Sequence, residues 1–83
     1  METGFRVLVV DDEKMIREAI RAYLTKMGCL VTEAEDGREA LRIFAEEAID
    51  FIILDLMLPG ISGEEVCRTI RERSQVPILM LTA

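Results

Sequence analysis

"DFIILDLMLPGISG", Asp50 to Gly63, places an acidic residue inside an apolar run: Phe51, Ile52, Ile53 and Leu54 precede Asp55, and Leu56, Met57 and Leu58 follow it. An ionised carboxylate taken out of water without a partner is strongly unfavourable, so it titrates, emerges at an edge or meets a cation. The run before Asp55 is too short for a helix and suits a strand buried on both faces. The turn-rich "LPGISG" after it ends that strand.

Working outward, the same pattern recurs. Phe5 to Val10 is a second short apolar run, closed by the acidic triplet Asp11-Asp12-Glu13. From Lys14 to Met27 the period changes: Ile16, Ala19, Ile20, Tyr23, Leu24 and Met27 form one stripe of an amphipathic helix, and Gly28 supplies its stop. Leu30 to Ala34 reads as a weaker strand. Asp36 is placed to cap a helix over 37–48 that faces inward through Ala40, Leu41, Phe44 and Ala48. Ser62, with Glu65 three residues on, gives a capping box for a helix over 63–73, and 76–81 forms a last strand. The spans expected are thus strands at 5–10, 30–34, 50–55 and 76–81, with helices at 14–27, 37–48 and 63–73. This alternation of strands and helical connections predicts an α/β domain: an open parallel sheet with helices on both faces.

Bulk properties narrow the function. Eighty-three residues make one small domain, and chains of this size bury only about 60–65% of the surface exposed when unfolded. Apolar residues reach 51%, which favours a folded core despite 31% charged residues. The net charge of −6 argues against gripping a phosphate backbone. Two distant cysteines, Cys29 and Cys67, and no histidine suggest neither a zinc site nor a disulfide framework. No export signal or membrane-length apolar run is visible, so a cytoplasmic location is expected.

Ligands of open parallel sheets bind outside the carboxyl ends of the strands, where strand order reverses. Asp11 and Asp12 follow the first strand and Asp55 ends the third. If those strands are neighbours, three carboxylates converge, and a hard cation such as Mg²⁺ relieves their repulsion. There are plainer roles: Asp12 and Glu13 also suit capping of the first helix, and Asp55 suits capping of its own loop.

Taken together, "VLVVDDE", "IILDLMLPGISG" and the closing "PILMLTA" resemble the receiver domain of two-component response regulators, over the whole chain. The resemblance implies a flavodoxin-like strand order 2-1-3-4. It also implies that Asp55 accepts a phosphoryl group from a phosphohistidine of a sensor histidine kinase. Mg²⁺ would be held by Asp12 directly, by Asp11 largely through water, by Asp55 and by the backbone carbonyl of Met57, turned inward by Pro59 and Gly60. Thr82 would sense the phosphoryl group through its hydroxyl, with the Ala83 N–H beside it. A module of this kind promotes its own phosphorylation and dephosphorylation without being a dedicated enzyme.

The family pattern continues with a helix, a fifth strand ending in Lys-Pro and a last helix, none of which these residues contain. Neither lysine, Lys14 or Lys26, matches the family's phosphoryl-binding lysine. Impaired switching is therefore expected, as is an apolar edge at "VPILML" completed by dimerisation or element exchange. Two other classes stand beside this one. A receiver-derived scaffold would only self-assemble. A haloacid-dehalogenase-type phosphatase also uses an aspartyl nucleophile with Mg²⁺, but needs a second aspartate where Met57 stands.

Overall fold

The computed structural model describes residues 4–82. The elements run β1 (Arg6–Val10), α1 (Lys14–Lys26), β2 (Leu30–Ala34), α2 (Gly37–Glu46), β3 (Phe51–Asp55), α3 (Gly63–Arg71) and β4 (Ile78–Leu81). The strands form one parallel sheet in the order β2-β1-β3-β4. This is the 2-1-3-4 order implied by the family resemblance.

Because side chains alternate along a strand, β1 and β3 each feed two cores. Leu8, Val10, Ile52 and Leu54 face α2 and α3, where Ala40, Ile43, Val66 and Ile70 close over them. Val7, Val9 and Ile53 face the other way and meet Leu24 of α1 together with Cys29. Two helices cover the first face and one covers the second. The apolar runs of β1 and β3 thus satisfy both sides of a central pair of strands.

The coverage by α1 is thinner than its sequence stripe predicts. Leu24 is buried and Ile20 half-buried, whereas Ile16, Ala19, Tyr23 and Met27 are exposed. A single helix on that face seats only the part of its stripe that points at the sheet. In α2 the inward set is also corrected: Ile43 is buried, and Ala48 is exposed. The helix stops at Glu46 because Glu47 is already extended, at φ −119° and ψ 150°. Likewise α3 ends at Arg71, where Glu72 N–H turns back to the Thr69 carbonyl at 3.3 Å. The last strand begins at Ile78. Pro77 before it has no N–H, although its carbonyl accepts from Ile52 at 3.0 Å.

The helix starts follow local chemistry. Asp36 accepts from the Glu39 N–H at 2.8 Å and Ser62 from the Glu65 N–H at 3.2 Å. The α1 N-cap, Glu13, makes no side-chain capping bond. At the other end of α1, Gly28 adopts φ +90°, a left-handed conformation that closes the helix. No helix among the described residues is long and apolar enough to cross a membrane.

Gly63 is buried at the first position of α3, and its N–H donates to the Leu56 carbonyl at 3.1 Å. A Cβ there would collide with the Asp55 carbonyl oxygen and lie 2.8 Å from Leu56 Cα. The glycine therefore sets how closely α3 approaches the end of β3, a role beyond that of an ordinary turn residue. Gly63→Ala is expected to cost about 1–3 kcal/mol by overpacking, read as a lowered denaturation midpoint.

Candidate functional site

Strand register brings the acidic residues together. Val10 lies opposite Leu54, so the next residues, Asp11 and Asp55, leave the sheet side by side. Asp55 in turn lies opposite Leu81, which puts Thr82 one step beyond on the neighbouring strand. Asp11, Asp12 and Asp55 each offer a carboxylate oxygen, and these oxygens lie within 4.8 Å of one another. Together with Glu13, Ile16, Met57, Leu81 and Thr82 they line one open cleft of about 430 Å³. Each site residue expected from the sequence is thus in the cleft, except Ala83, which lies outside the described residues.

The three carboxylates differ in setting. Asp11 is 3% exposed, Asp55 half-buried and Asp12 exposed. Asp11 Oδ1 accepts the Glu13 N–H at 2.8 Å, closing the turn into α1, and Asp55 Oδ1 accepts the Met57 N–H at 2.9 Å. The second bond is an Asx-type turn that fixes the Asp55 carboxyl plane at the start of the β3–α3 loop. Farther along that loop, Gly60 takes φ +73° after Pro59, which reverses the chain.

Burial pushes the Asp11 carboxyl above its ordinary range. The Glu13 N–H opposes this, while the charges of Asp55 and Asp12 add to it and Arg17 draws it back. Two half-buried or exposed acids crowding a buried one make a strongly anionic pocket of hard oxygen donors. Such a set fits Mg²⁺, which takes a few carboxylate oxygens and keeps water in its remaining positions.

One group was missed in the sequence. Arg17 donates through Nε to Glu33 Oε1 at 3.1 Å and through Nη1 to the Asp11 carbonyl at 2.7 Å. Arg21 takes the other Glu33 oxygen at 2.9 Å. The Arg21 hydrogen bond, aided by Arg17 and opposed by burial, holds the Glu33 carboxyl below its ordinary range. The signal was available: Arg17 sits three and seven residues before Ile20 and Leu24, on the side of α1 that packs.

A family model described as "Response regulator receiver domain" matches residues 7–83. The chain belongs to this family. The transcriptional regulatory protein ResD of Bacillus subtilis is 51% identical over 78 residues, covering 94% of this chain and 32% of ResD. The probable transcriptional regulator ycf27 of Guillardia theta is 48% identical over 83 residues, covering 100% of this chain and 33% of that protein. The chain therefore spans about a third of the length of these curated relatives. Among solved structures, the response regulator TrrA of Thermotoga maritima, in complex with Mg²⁺-BeF, matches with a TM-score of 0.88 at 46% identity. That match covers 94% of this chain and 69% of TrrA. The chemotaxis response regulator CheY4 of Vibrio cholerae matches with a TM-score of 0.90 at 38% identity, covering 94% and 68% of the two chains.

The raised Asp11 pKa has a defined effect on stability. A carboxyl that binds its proton more tightly in the folded chain subtracts stability once ionised. That penalty is absent below the ordinary carboxylate pKa of about 3.9 and develops as pH rises through the folded value. Asp11→Asn keeps an oxygen for the Glu13 N–H but removes the charge. In metal-free buffer it should raise the thermal midpoint near pH 7, and the gain should shrink as pH falls towards the ordinary carboxylate range.

Proposed function

We propose that the chain is the phosphoacceptor module of a two-component system, with Asp55 as the residue modified. The observation that carries this reading is the convergence of three carboxylates, within 4.8 Å, at the carboxyl ends of two adjacent parallel strands. Family membership supports it. TrrA, a relative in the same family, is a complex with Mg²⁺-BeF.

In this reading Asp12, Asp55 and the Met57 carbonyl would hold Mg²⁺, with Asp11 largely through water, and the cation would offset the charge of the phosphoryl oxygens. Phosphoryl transfer depends mainly on alignment and on such charge neutralisation, which suits a site built of little else. An Asp55 carboxylate oxygen forms the new bond to phosphorus as the P–N bond of the donor phosphohistidine breaks, and the imidazole leaves. Because Met57 N–H holds Oδ1, the carboxyl plane is set before the donor arrives. Leu81 and Ile16 line the same cleft. Thr82, at the mouth of the same cleft, offers its hydroxyl to the phosphoryl oxygens and so reports the modification.

The donor would be a cytoplasmic sensor histidine kinase, and the module a regulatory one, with no dedicated enzyme activity. The curated relatives are named as transcriptional regulators, three times as long as this chain. The net charge of −6 argues against these residues gripping a phosphate backbone, which supports a receiving role for them. No lysine lines the cleft among the described residues. The 83 residues alone are therefore expected to switch poorly.

Incubation with a small acyl-phosphate donor tests this reading by intact mass. A gain of one phosphoryl group that requires Mg²⁺ and disappears in Asp55→Asn is expected. No gain in folded protein would leave only a receiver-derived scaffold.

A self-associating role has its own support. Within the described residues β4 pairs on one side only, and Leu79 on it is 50% exposed. An open apolar edge of this kind templates pairing with another chain. We expect the 83-residue chain to run larger than its 9.4 kDa monomer in light scattering. A sharp monomer peak with cooperative unfolding would exclude edge pairing.

A further inference from the structure

The Asp11 peptide is held from three sides. Its N–H donates to the Ala34 carbonyl of β2 at 3.1 Å, and its carboxylate accepts the Glu13 N–H at 2.8 Å. Its carbonyl accepts Arg17 Nη1 at 2.7 Å. The carbonyl bond is the one with consequences for the neighbouring residue. The Asp11 carbonyl shares a rigid plane with the Asp12 N–H, so fixing that plane limits where Asp12 can aim its carboxylate. Asp12 is itself exposed, at the start of a turn with no side-chain cap on α1.

Arg17 is equipped to do this. Its side chain is 12% exposed, and its Nε is held by Glu33, which lies on β2 opposite Val9. The guanidinium is planar, so one bond to Glu33 sets the direction of the other towards Asp11. Arg21, more exposed, takes the second Glu33 oxygen. The polar chain Arg21–Glu33–Arg17–Asp11 thus ties the turn carrying two site aspartates to the neighbouring strand and to the body of α1.

We propose that Arg17, anchored by Glu33, is a positioning residue that pre-sets the Asp11-Asp12 turn for a divalent cation. Partners of metal ligands commonly alter affinity by about 10–100-fold when removed. Arg17 acts one bond further back, through a backbone plane, and belongs at the low end of that range. The inference rests on the reading of the cleft as a Mg²⁺ site.

Two contributions of Arg17 have opposite signs, and the choice of variant separates them. Its positive charge near the carboxylates repels a cation, so removing the charge alone would tighten binding. Its fork orders the ligands, so removing the fork alone would weaken binding. Arg17→Lys keeps the charge and lacks the planar fork.

The test is calorimetric titration with Mg²⁺ alone, on the wild type, Arg17→Lys and Arg21→Ala, at low and high salt. Circular dichroism establishes that each is folded. The expected result is about a tenfold loss of Mg²⁺ affinity in Arg17→Lys, at the low end of the outer-partner range. Arg21→Ala should stay within about twofold, since Arg17 keeps its own Glu33 bond. The loss should persist at high salt, because screening weakens charge effects and leaves geometry alone. If Arg17→Lys does not fold, Glu33→Ala read at high salt carries the test: it removes the anchor and retains the arginine, and screening suppresses the effect of the lost negative charge.

An unchanged affinity in a folded variant, even with a lowered melting midpoint, would make Arg17 merely structural and overturn the proposal. So would a loss that vanishes at high salt, which would trace it to a relocated positive charge at position 17 and not to the planar fork. A wild-type protein that binds no Mg²⁺ would overturn the reading of the cleft itself, and the proposal with it.

Discussion

Everything at the site depends on one register, Val10 opposite Leu54. A shift of one residue between β1 and β3 would turn every side chain of one strand to the wrong face. Leu54 would leave the core it shares with Val66 and Ile70, and Asp55 would no longer emerge beside Asp11. The apolar side chains that pack in this register and the acidic residues that use it belong to the same short runs. Packing and chemistry are therefore fixed by a single choice.

That choice has an electrostatic cost, and the fold bears it in an identifiable place. Asp11 is the buried member of the trio, and burial is the largest cause of its raised pKa. Its neighbours on β1, Val7 to Val10, are almost wholly buried, so the strand cannot recede to give the carboxylate more water. Gly63 closes the matching escape on the other strand by bringing α3 against the Asp55 carbonyl. The carboxylates stay crowded because apolar contacts on both strands outweigh their mutual repulsion. A site that holds like charges together in this way is set up to favour a cation.

Much of this was legible in the sequence, for physical reasons that can be named. The apolar runs of β1 and β3 and the capping box of α3 are strong signals, and the residues ending those strands are conspicuous because a carboxylate among Ile and Leu demands explanation. The caps at Asp36 and Ser62 announced their helices by the same short-range chemistry that makes them. What was illegible depended on neighbours far apart in the chain. The exposed part of the α1 stripe could not be told from its buried part, because periodicity reports which side is apolar and says nothing of how many helices share a face. Ile43 was overlooked for Ala48 because the end of α2 is decided by Glu47 turning extended. Arg17 and Glu33, sixteen residues apart, meet only once β2 is laid beside β1. The place of Arg17 on the packing side of α1 was legible, but the identity of its partner was not.

The two faces of the sheet consequently hold the site by different means. On the α2 and α3 side the end of β3 is clamped by close apolar packing, with Leu58 and Val66 in the main core and Gly63 against the backbone. On the α1 side the smaller core, with Leu24 and Cys29 as its buried members outside the sheet, stops short of the acidic turn. There the turn is tied by the guanidinium of Arg17 and the carboxylate of Glu33. Packing is non-directional and tolerates small shifts among many contacts, whereas a planar fork specifies where one carbonyl points. The backbone at Asp55, which Gly63 approaches, is therefore held mainly by packing. The metal-ligand candidates Asp11 and Asp12 stand where a hydrogen-bonded tether sets direction, which is what a site requires when its ligands must aim at a common point.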